Sequence, residues 1–228
     1  MLGPLTIAVA QPACGPKDVR ANARTHAAAI RAARARLVVF PELSLTGYEL
    51  DADAVDLTTL HDIVDACAET QAIALVGAPV AGDHIATLRV DASGAEVVYR
   101  KSFLGGDELT RFTPGPGPVA VDVDGWRVGL GICKDTGVAQ HVADTAALNV
   151  DVYVAGLVHH DHELAEQEAR AVRIARACNS YVAFASFAGP TGGGYDRTAG
   201  NSAIYSADGR ALARTNGDVG GIVRFALT

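Results

Sequence analysis

Short apolar runs alternate with longer segments of helical periodicity in the first third of the chain. Leu5–Ala10, Leu37–Phe40 and Ile73–Gly77 are short, apolar and bounded by Pro or Gly, which is typical of buried strands. Asp18–Ala35 and Val55–Thr70 lie between them and carry apolar residues at helical spacing with polar residues interleaved. The pattern therefore predicts strands that alternate with two helices.

The rest of the chain predicts β-hairpins and a second pair of helices. A turn containing Gly separates the two strands of each hairpin, and Asp124-Gly125 is a frequent two-residue connection. The predicted hairpin strands are His84–Val90 with Ala95–Arg100, and Val119–Val123 with Trp126–Cys133. Helices are predicted at Gly137–Leu148 and Glu163–Ala177, and further strands at Val152–Ala155, Tyr181–Ser186, Ser202–Ser206, Ala211–Arg214 and Val219–Phe225.

Two pairs of helices, each associated with a block of strands, favour a layered α/β fold. We expect a four-layer α-β-β-α sandwich, in which two sheets pack face to face and the helices cover the outside. A doubly wound single sheet is the alternative, but the hairpins favour mixed strand pairing. No change of composition marks a linker, so residues 1–228 are predicted to form one domain.

Composition narrows the class of protein. Hydrophobic residues make up 49% and charged residues 20%, which is enough apolar surface for a core. The net charge of −7 argues against nucleic acid or an anionic membrane as a partner, because both attract basic surfaces. No apolar run reaches transmembrane length, so a soluble cytoplasmic protein is expected. Four cysteines without a CxxC pair indicate free thiols rather than disulfides or a zinc ribbon.

Three reactive side chains each follow a predicted strand: Glu42, Lys101 and Cys133. Each has an ordinary explanation on its own, as a solvated acid, an edge-strand charge and a small core residue respectively. The chain has 16 Arg and only 3 Lys, which gives the retained lysines more weight as titratable ammonium groups.

Taken together, the three side chains are the parts needed for acyl transfer through a thioester. A cysteine at a helix N-terminus has its thiolate favoured by backbone N–H groups, and a nearby ammonium group lowers its pKa further. A carboxylate can then take and return the proton.

The order and context of these residues resemble the nitrilase-type carbon–nitrogen hydrolase superfamily over the whole chain. The segments that carry the resemblance are Ala10-Gln-Pro12, Asn22, Phe40-Pro-Glu42-Leu, Tyr99-Arg-Lys101, Glu108, Phe112, Pro114-Gly115, Gly131-Ile-Cys133-Lys-Asp135, Gly200-Asn-Ser202 and Asp208-Gly209. The order Glu, Lys, Cys with all three contexts is far more specific than any one of them.

The resemblance implies a role for each of these positions. Cys133 would be the nucleophile, Glu42 the general base and Glu108 a second, orienting glutamate. Lys101 would stabilise the oxyanion together with the backbone N–H of Lys134. The resemblance also implies the sandwich fold, a homodimer, a small-molecule amide substrate, and neither a metal nor an organic cofactor.

The sequence departs from the family pattern at several positions. The residue after the cysteine is usually aromatic, but here it is Lys134. If its side chain faces the pocket, an anionic substrate is favoured; if it pairs with an acid or faces solvent, the pocket stays neutral. Ala139-Gln140 replaces the usual Pro-Glu, and Ser186 stands where a late Asn is usual.

Two segments outside these motifs are candidates for the pocket. The histidines of His159–His162 resemble metal ligands, but no second cluster completes a site, so a pocket loop is the preferred interpretation. Tyr48, His159 and His160 are the predicted pocket residues. Gly189–Tyr195 lacks the lysine of a phosphate loop and is expected to be a flexible rim loop.

The predicted reaction is hydrolysis of a small amide with release of ammonia. A nitrilase would use the same residues on a nitrile, and a binding protein that keeps the fold would need none of their chemistry. Cys14, Cys67 and Cys178 have no basic neighbour in sequence and are expected to be packing residues.

Overall fold

Two six-stranded mixed sheets pack against each other in the computed structural model, which describes residues 3–228. The strands of the first sheet are β1 (Leu5–Gln11), β2 (Leu37–Val39), β3 (Ile73–Val80), β4 (His84–Asp91), β5 (Gly94–Arg100) and β12 (Gly221–Leu227). Those of the second are β6 (Val119–Val123), β7 (Trp126–Ile132), β8 (Val152–Leu157), β9 (Tyr181–Ser186), β10 (Ala203–Tyr205) and β11 (Ala211–Arg214). The helices are α1 (Val19–Ala33), α2 (His61–Thr70), α3 (Ala139–Ala147) and α4 (Leu164–Cys178).

The two sheets have the same internal organisation. Their orders are β12-β1-β2-β3-β4-β5 and β11-β10-β9-β8-β7-β6. Three adjacent strands in the middle of each sheet are parallel, and the strands outside them pair antiparallel. Because parallel strands end at one edge, the segments after β2, β7 and β8 can meet there.

Clusters of apolar residues pack four layers of the molecule against one another, as the sequence predicts. One cluster, which includes Val9, Leu75 and Leu130, fills the space between the sheets. A second packs α1 and α2 on the first sheet, and a third packs α4 on the second sheet. This α-β-β-α arrangement confirms the layered sandwich and excludes the doubly wound single sheet.

The predicted helix over Val55–Thr70 is too long. Val55 donates its N–H to the carbonyl of Pro79 and extends the contacts of β3, while the Asp56 carboxylate caps a short 3-10 turn at Leu57–Thr59. The α-helix therefore begins only at His61. By contrast, the start of α1 is predicted well, because the Asp18 side chain accepts a hydrogen bond from Ala21 N–H.

The remaining differences lie at the ends of elements. The last strand is Gly221–Leu227 rather than Val219–Phe225, because it pairs antiparallel with β1 from Leu227 opposite Leu5. Within residues 3–228, no helix is both long enough and apolar enough to cross a membrane.

Candidate active site

Glu42 lies in a turn after β2, enclosed between the two sheets. A Cβ atom on Gly77 would lie 2.4 Å from the backbone nitrogen of Leu43, and one on Gly156 would lie 2.7 Å from the nitrogen of Glu42. Only glycine on β3 and β8 allows the turn this close. The Glu42 side chain is consequently buried at the carboxyl ends of the parallel strands.

A buried ammonium group joins Glu42 to Glu108. Lys101 follows β5, and its Nζ lies 2.6 Å from Oε1 of Glu42 and 2.6 Å from Oε1 of Glu108. All three side chains are at most 2% exposed, so the charges interact with little screening by solvent. The structure thus brings together three residues that are 59 and 7 positions apart in sequence.

The two carboxylates differ in their hydrogen-bond partners. Glu108 also accepts hydrogen bonds from the Tyr48 hydroxyl at 2.5 Å and from Gly105 N–H at 2.6 Å. Glu42 has only Lys101, and its Oε2 is buried with no hydrogen-bond partner within residues 3–228. These hydrogen bonds therefore stabilise the ionised form of Glu108, whereas one oxygen of Glu42 has no hydrogen bond.

The pKa values of these groups follow from that difference. Burial raises the pKa of Glu42 well above its usual value, and the attraction of Lys101 only partly opposes this effect. Burial also acts to raise the pKa of Glu108, but Lys101, Tyr48 and Gly105 outweigh it, and the net direction is down. Burial acts to lower the pKa of Lys101, but the charges of Glu42, Cys133 and Glu108 together raise it, so the ammonium persists.

Cys133 lies directly after β7 and begins a 3-10 turn, Cys133–Gly137. Its φ of +36° is unfavourable for a residue with a Cβ, which marks a strained position. The partly buried thiol donates to the carbonyl of Val158 at 3.2 Å, just beyond the end of β8. Burial raises the pKa of Cys133, and the positive charge of Lys101 opposes that rise.

The predicted helix after the cysteine starts later than expected. Gly137–Leu148 was the prediction, but Val138 is extended and α3 begins at Ala139. The thiol therefore lies at the start of a five-residue turn, where the dipole of a long helix does not act on it. The positive charge of Lys101, and more weakly that of Arg170, lowers the pKa of the thiol.

Asp135 ties the cysteine segment to the lysine segment, a function that the sequence analysis missed. Its carboxylate accepts hydrogen bonds from Ile132 N–H at 2.9 Å, Phe103 N–H at 2.8 Å and the Tyr99 hydroxyl at 2.8 Å. Ile132 precedes Cys133, while Tyr99 and Phe103 flank Lys101. The sequence marks it only as the last residue of the Gly131–Asp135 segment, two residues after the cysteine.

His159 belongs to a buried polar network beside the cysteine. Its Nδ1 lies 3.1 Å from Oε1 of Gln167, which also accepts from the Ser186 hydroxyl at 2.9 Å. Its Nε2 lies 3.3 Å from a guanidinium nitrogen of Arg170. No group of three metal-binding side chains occurs in the described part of the chain.

Two further predicted pocket residues, Tyr48 and His160, both contact the ring of Tyr195. The Tyr48 ring meets the Tyr195 ring edge-on at 5.2 Å between centroids, and the His160 ring stacks on Tyr195 at 4.2 Å. Lys134 is exposed and forms no ion pair within residues 3–228. The structure thus places Tyr48 and His160 around one ring, which the sequence analysis assigned only to a rim loop.

Comparison with known proteins gives a family match over nearly the whole chain. Residues 6–224 match the family model described as carbon-nitrogen hydrolase. A curated protein from Pseudomonas protegens, described as the hydrolase in the pqqF 5′ region, is 32% identical over 231 residues. The match covers 92% of this chain and 79% of that protein.

Solved structures match the fold at low sequence identity. A cysteine-to-alanine variant of the amidase from Nesterenkonia sp. AN1 in complex with butyramide has a TM-score of 0.84 and 22% identity, covering 98% of this chain and 90% of that one. A glutamate-to-glutamine variant of the same amidase shows covalent addition of the acetamide moiety of fluoroacetamide at the active-site cysteine. Its TM-score is 0.82 at 21% identity, with the same coverage.

Proposed function

The chain belongs to the carbon-nitrogen hydrolase family, and from that premise we propose that it hydrolyses a small amide through a thioester on Cys133, releasing ammonia. The observation that carries this proposal is the buried Glu42 Oε2 without a partner, next to an ammonium group that a second carboxylate already neutralises. The bound butyramide of the Nesterenkonia amidase supports an amide as the substrate class.

In the first step, Sγ of Cys133 attacks the carbonyl carbon of the amide. The thiol proton moves to the free oxygen of Glu42, whose raised pKa makes it a stronger base than an ordinary carboxylate. The carbonyl oxygen gains the negative charge, and the Lys101 ammonium with the backbone N–H of Lys134 stabilises it. Glu108 holds Lys101 in place through their 2.6 Å contact.

In the second step, the C–N bond breaks and Glu42 returns its proton to the departing nitrogen, so ammonia leaves and a thioester remains. Water then attacks the thioester carbonyl and gives a proton to Glu42. When the C–S bond breaks, that proton returns to Sγ of Cys133. The products are a carboxylic acid and ammonia, and the enzyme regains its starting protonation state.

The test is ammonia release from a panel of small amides, ureas and carbamoyl compounds, with each amide paired to its nitrile. We expect amides to release ammonia, and Cys133→Ala to lose at least about 10³-fold of kcat. Cys14→Ala is the matched control, because Cys14 is partly buried and far from the cluster in sequence. Retention of the wild-type rate by Cys133→Ala would refute the proposal.

Product analysis on the nitrile partners separates the second candidate. A nitrilase would convert the nitrile to the acid with the same cysteine through a thioimidate, whereas an amidase leaves the nitrile unchanged. The free carboxylate oxygen of Glu42 serves either reaction, so the ratio of rates on each pair decides between them. A protein that only binds would release ammonia from neither.

A further inference from the structure

The Tyr195 ring contacts two segments of the chain that also contact Glu108 and Cys133. Tyr48 meets its ring edge-on and donates its own hydroxyl to Glu108. His160 stacks on the Tyr195 ring and lies two residues beyond Val158, whose carbonyl accepts a hydrogen bond from the thiol of Cys133. One ring therefore contacts both the segment that binds Glu108 and the segment that binds Cys133.

The loop that carries Tyr195 is fixed to the Tyr48 segment. Tyr48 N–H donates to the Thr191 hydroxyl at 2.9 Å, and Thr191 N–H donates to the Tyr195 carbonyl at 2.9 Å. A Cβ on Gly192 would lie 2.4 Å from the Tyr48 carbonyl oxygen, and one on Gly193 would lie 2.6 Å from the Tyr48 ring. The glycines allow this close packing, so the loop forms a wall against the Tyr48 segment.

The far end of the loop is fixed to the His160 segment. Arg197 pairs with Asp161 at 2.6 Å, and Thr198 forms a β-bridge with His160. The side chain of Thr198 also donates to the carbonyl of Gly189 at 2.6 Å, which closes the loop on itself. The segments that contact the Tyr195 ring thus also contact Glu108 and Cys133.

The reaction geometry directs the acyl chain of the substrate toward this wall. An amide carbonyl carbon has three substituents: its oxygen must face Lys101, and its nitrogen must lie within reach of Glu42. Both of these groups are buried. The third substituent, the acyl chain, therefore points away from them, and the partly buried Tyr195, beside Tyr48 and His160, is the ring placed to meet it. Burial, and then the charges of Cys133 and Glu42, raise the pKa of Tyr195, which agrees with this position.

We propose that Tyr195 is the residue that sets acyl-chain length, and that its fixed ring restricts the site to short-chain aliphatic amides. The proposal rests on the amide hydrolysis proposed above. The ring acts by occupying space, because its phenol hydroxyl makes no hydrogen bond to the described side chains or backbone. Removal of the ring should open the site, and removal of the hydroxyl alone should not.

The first test compares kcat/KM for acetamide, butyramide, hexanamide and phenylacetamide in the wild type, Tyr195→Ala and Tyr195→Phe. We expect Tyr195→Ala to raise the ratio of hexanamide to acetamide by about 10-fold or more, the range that a few methylene groups in an apolar pocket provide. In Tyr195→Phe, the same ratio of hexanamide to acetamide should stay within about 3-fold of the wild-type ratio. An equal change for all four amides in Tyr195→Ala would overturn the proposal.

The second test needs no turnover and separates this proposal from the proposed function. The rates of Cys133 modification by methyl and phenethyl methanethiosulfonate are measured, with Cys133→Ala as the blank for the other thiols. Tyr195→Ala should speed the phenethyl reagent selectively, and Tyr195→Phe should not. If the wild type hydrolyses no amide, the proposed function fails, and this ratio still decides the position of Tyr195.

Thermal unfolding of each variant shows whether the fold is retained. If Tyr195→Ala does not fold, Tyr195→Leu replaces it, because Leu keeps apolar packing against Tyr48 and is shorter than Tyr. The expected direction is the same, with a smaller effect. A ratio of reagents unchanged in Tyr195→Leu would also overturn the proposal.

Discussion

Glu42 and Glu108 bind the same ammonium group, yet only Glu108 has hydrogen bonds to both of its carboxylate oxygens. The environment therefore moves their pKa values in opposite directions, up for Glu42 and down for Glu108. Two carboxylates whose pKa values are driven apart can divide the work of proton transfer and charge support. In this account, Glu42 moves the proton and Glu108 holds the lysine.

Glu42→Gln should abolish turnover and stabilise the protein at neutral pH. Loss of the base costs about 10²- to 10⁴-fold in kcat. The buried Glu42 carboxylate is costly when ionised, while Lys101 keeps Glu108 as its partner in the variant. We expect a gain of about 1 kcal/mol, or a rise in Tm of about 2–4 °C for a chain of this size.

The stability gain of Glu42→Gln should depend on pH, because burial raises the pKa of Glu42. Because the pKa of folded Glu42 lies above its usual value of 4.5, its contribution to stability is present below pH 4.5 and is lost as pH rises through the folded pKa. The Tm difference between variant and wild type should therefore grow as pH rises above 4.5 and shrink in acid. Glu96→Gln, at an exposed position, is the control and should shift neither Tm nor kcat.

The acid limb of the pH–rate profile should lie above the usual pKa of a glutamate. The base must be ionised to accept the thiol proton, and burial raises the pKa of Glu42. We expect kcat/KM to fall as pH decreases through a value well above 4.5. Measurement over a broad pH range with a neutral amide checks this, and a limb at or below 4.5 would show that Glu42 is not the group that titrates.

Asp135→Asn should impair both stability and catalysis. Phe103 N–H donates to one carboxylate oxygen of Asp135, and Ile132 N–H and the Tyr99 hydroxyl donate to the other. The amide nitrogen of Asn is itself a donor, so it would face another donor whichever oxygen it replaced. An unsatisfied buried donor costs about 1–3 kcal/mol. The segments of Cys133 and Lys101 would also lose their common anchor, so kcat should fall more than KM changes. Asp144→Asn is the exposed control, and equal effects in both variants would remove the positioning role of Asp135.

Gly156→Ala should destabilise the fold and displace Glu42. Its Cβ would lie 2.7 Å from the Glu42 nitrogen and 2.7 Å from the Phe40 carbonyl oxygen, both backbone atoms that cannot rotate away. Overpacking of this kind costs about 1–3 kcal/mol. Gly106→Ala meets no atom within 4 Å and is the matched control. Urea unfolding of both variants measures the difference, and a wild-type midpoint for Gly156→Ala would contradict the close packing.

The layers of the fold could be predicted because the apolar periodicity changes where the elements change. β1, α1 and the β4–β5 hairpin have clear apolar patterns and turn residues, and each appears close to its predicted bounds. The helix over Val55–Thr70 was predicted too long because a long-range hydrogen bond from Val55 to Pro79 determines where it starts. Helical spacing of side chains carries no information about such a contact.

The candidate site could be predicted only where a motif marks it. Glu42, Lys101 and Cys133 stand out in the sequence because each follows a predicted strand, and the resemblance adds the role of Glu108; the structure places both glutamates against Lys101. Tyr195 and Gln167 carry no motif, and only the folded chain brings them beside Tyr48 and His159. The homodimer and the cytoplasmic location stay predictions.

Peptide-mapping mass spectrometry of the acid-quenched wild type during amide turnover detects the proposed thioester on Cys133. We expect the acyl group of the substrate on the peptide that contains Cys133, removed by neutral hydroxylamine and absent from Cys133→Ala. Amide hydrolysis with the acyl group on another peptide, or at an undiminished rate in Cys133→Ala, would contradict the proposed thioester.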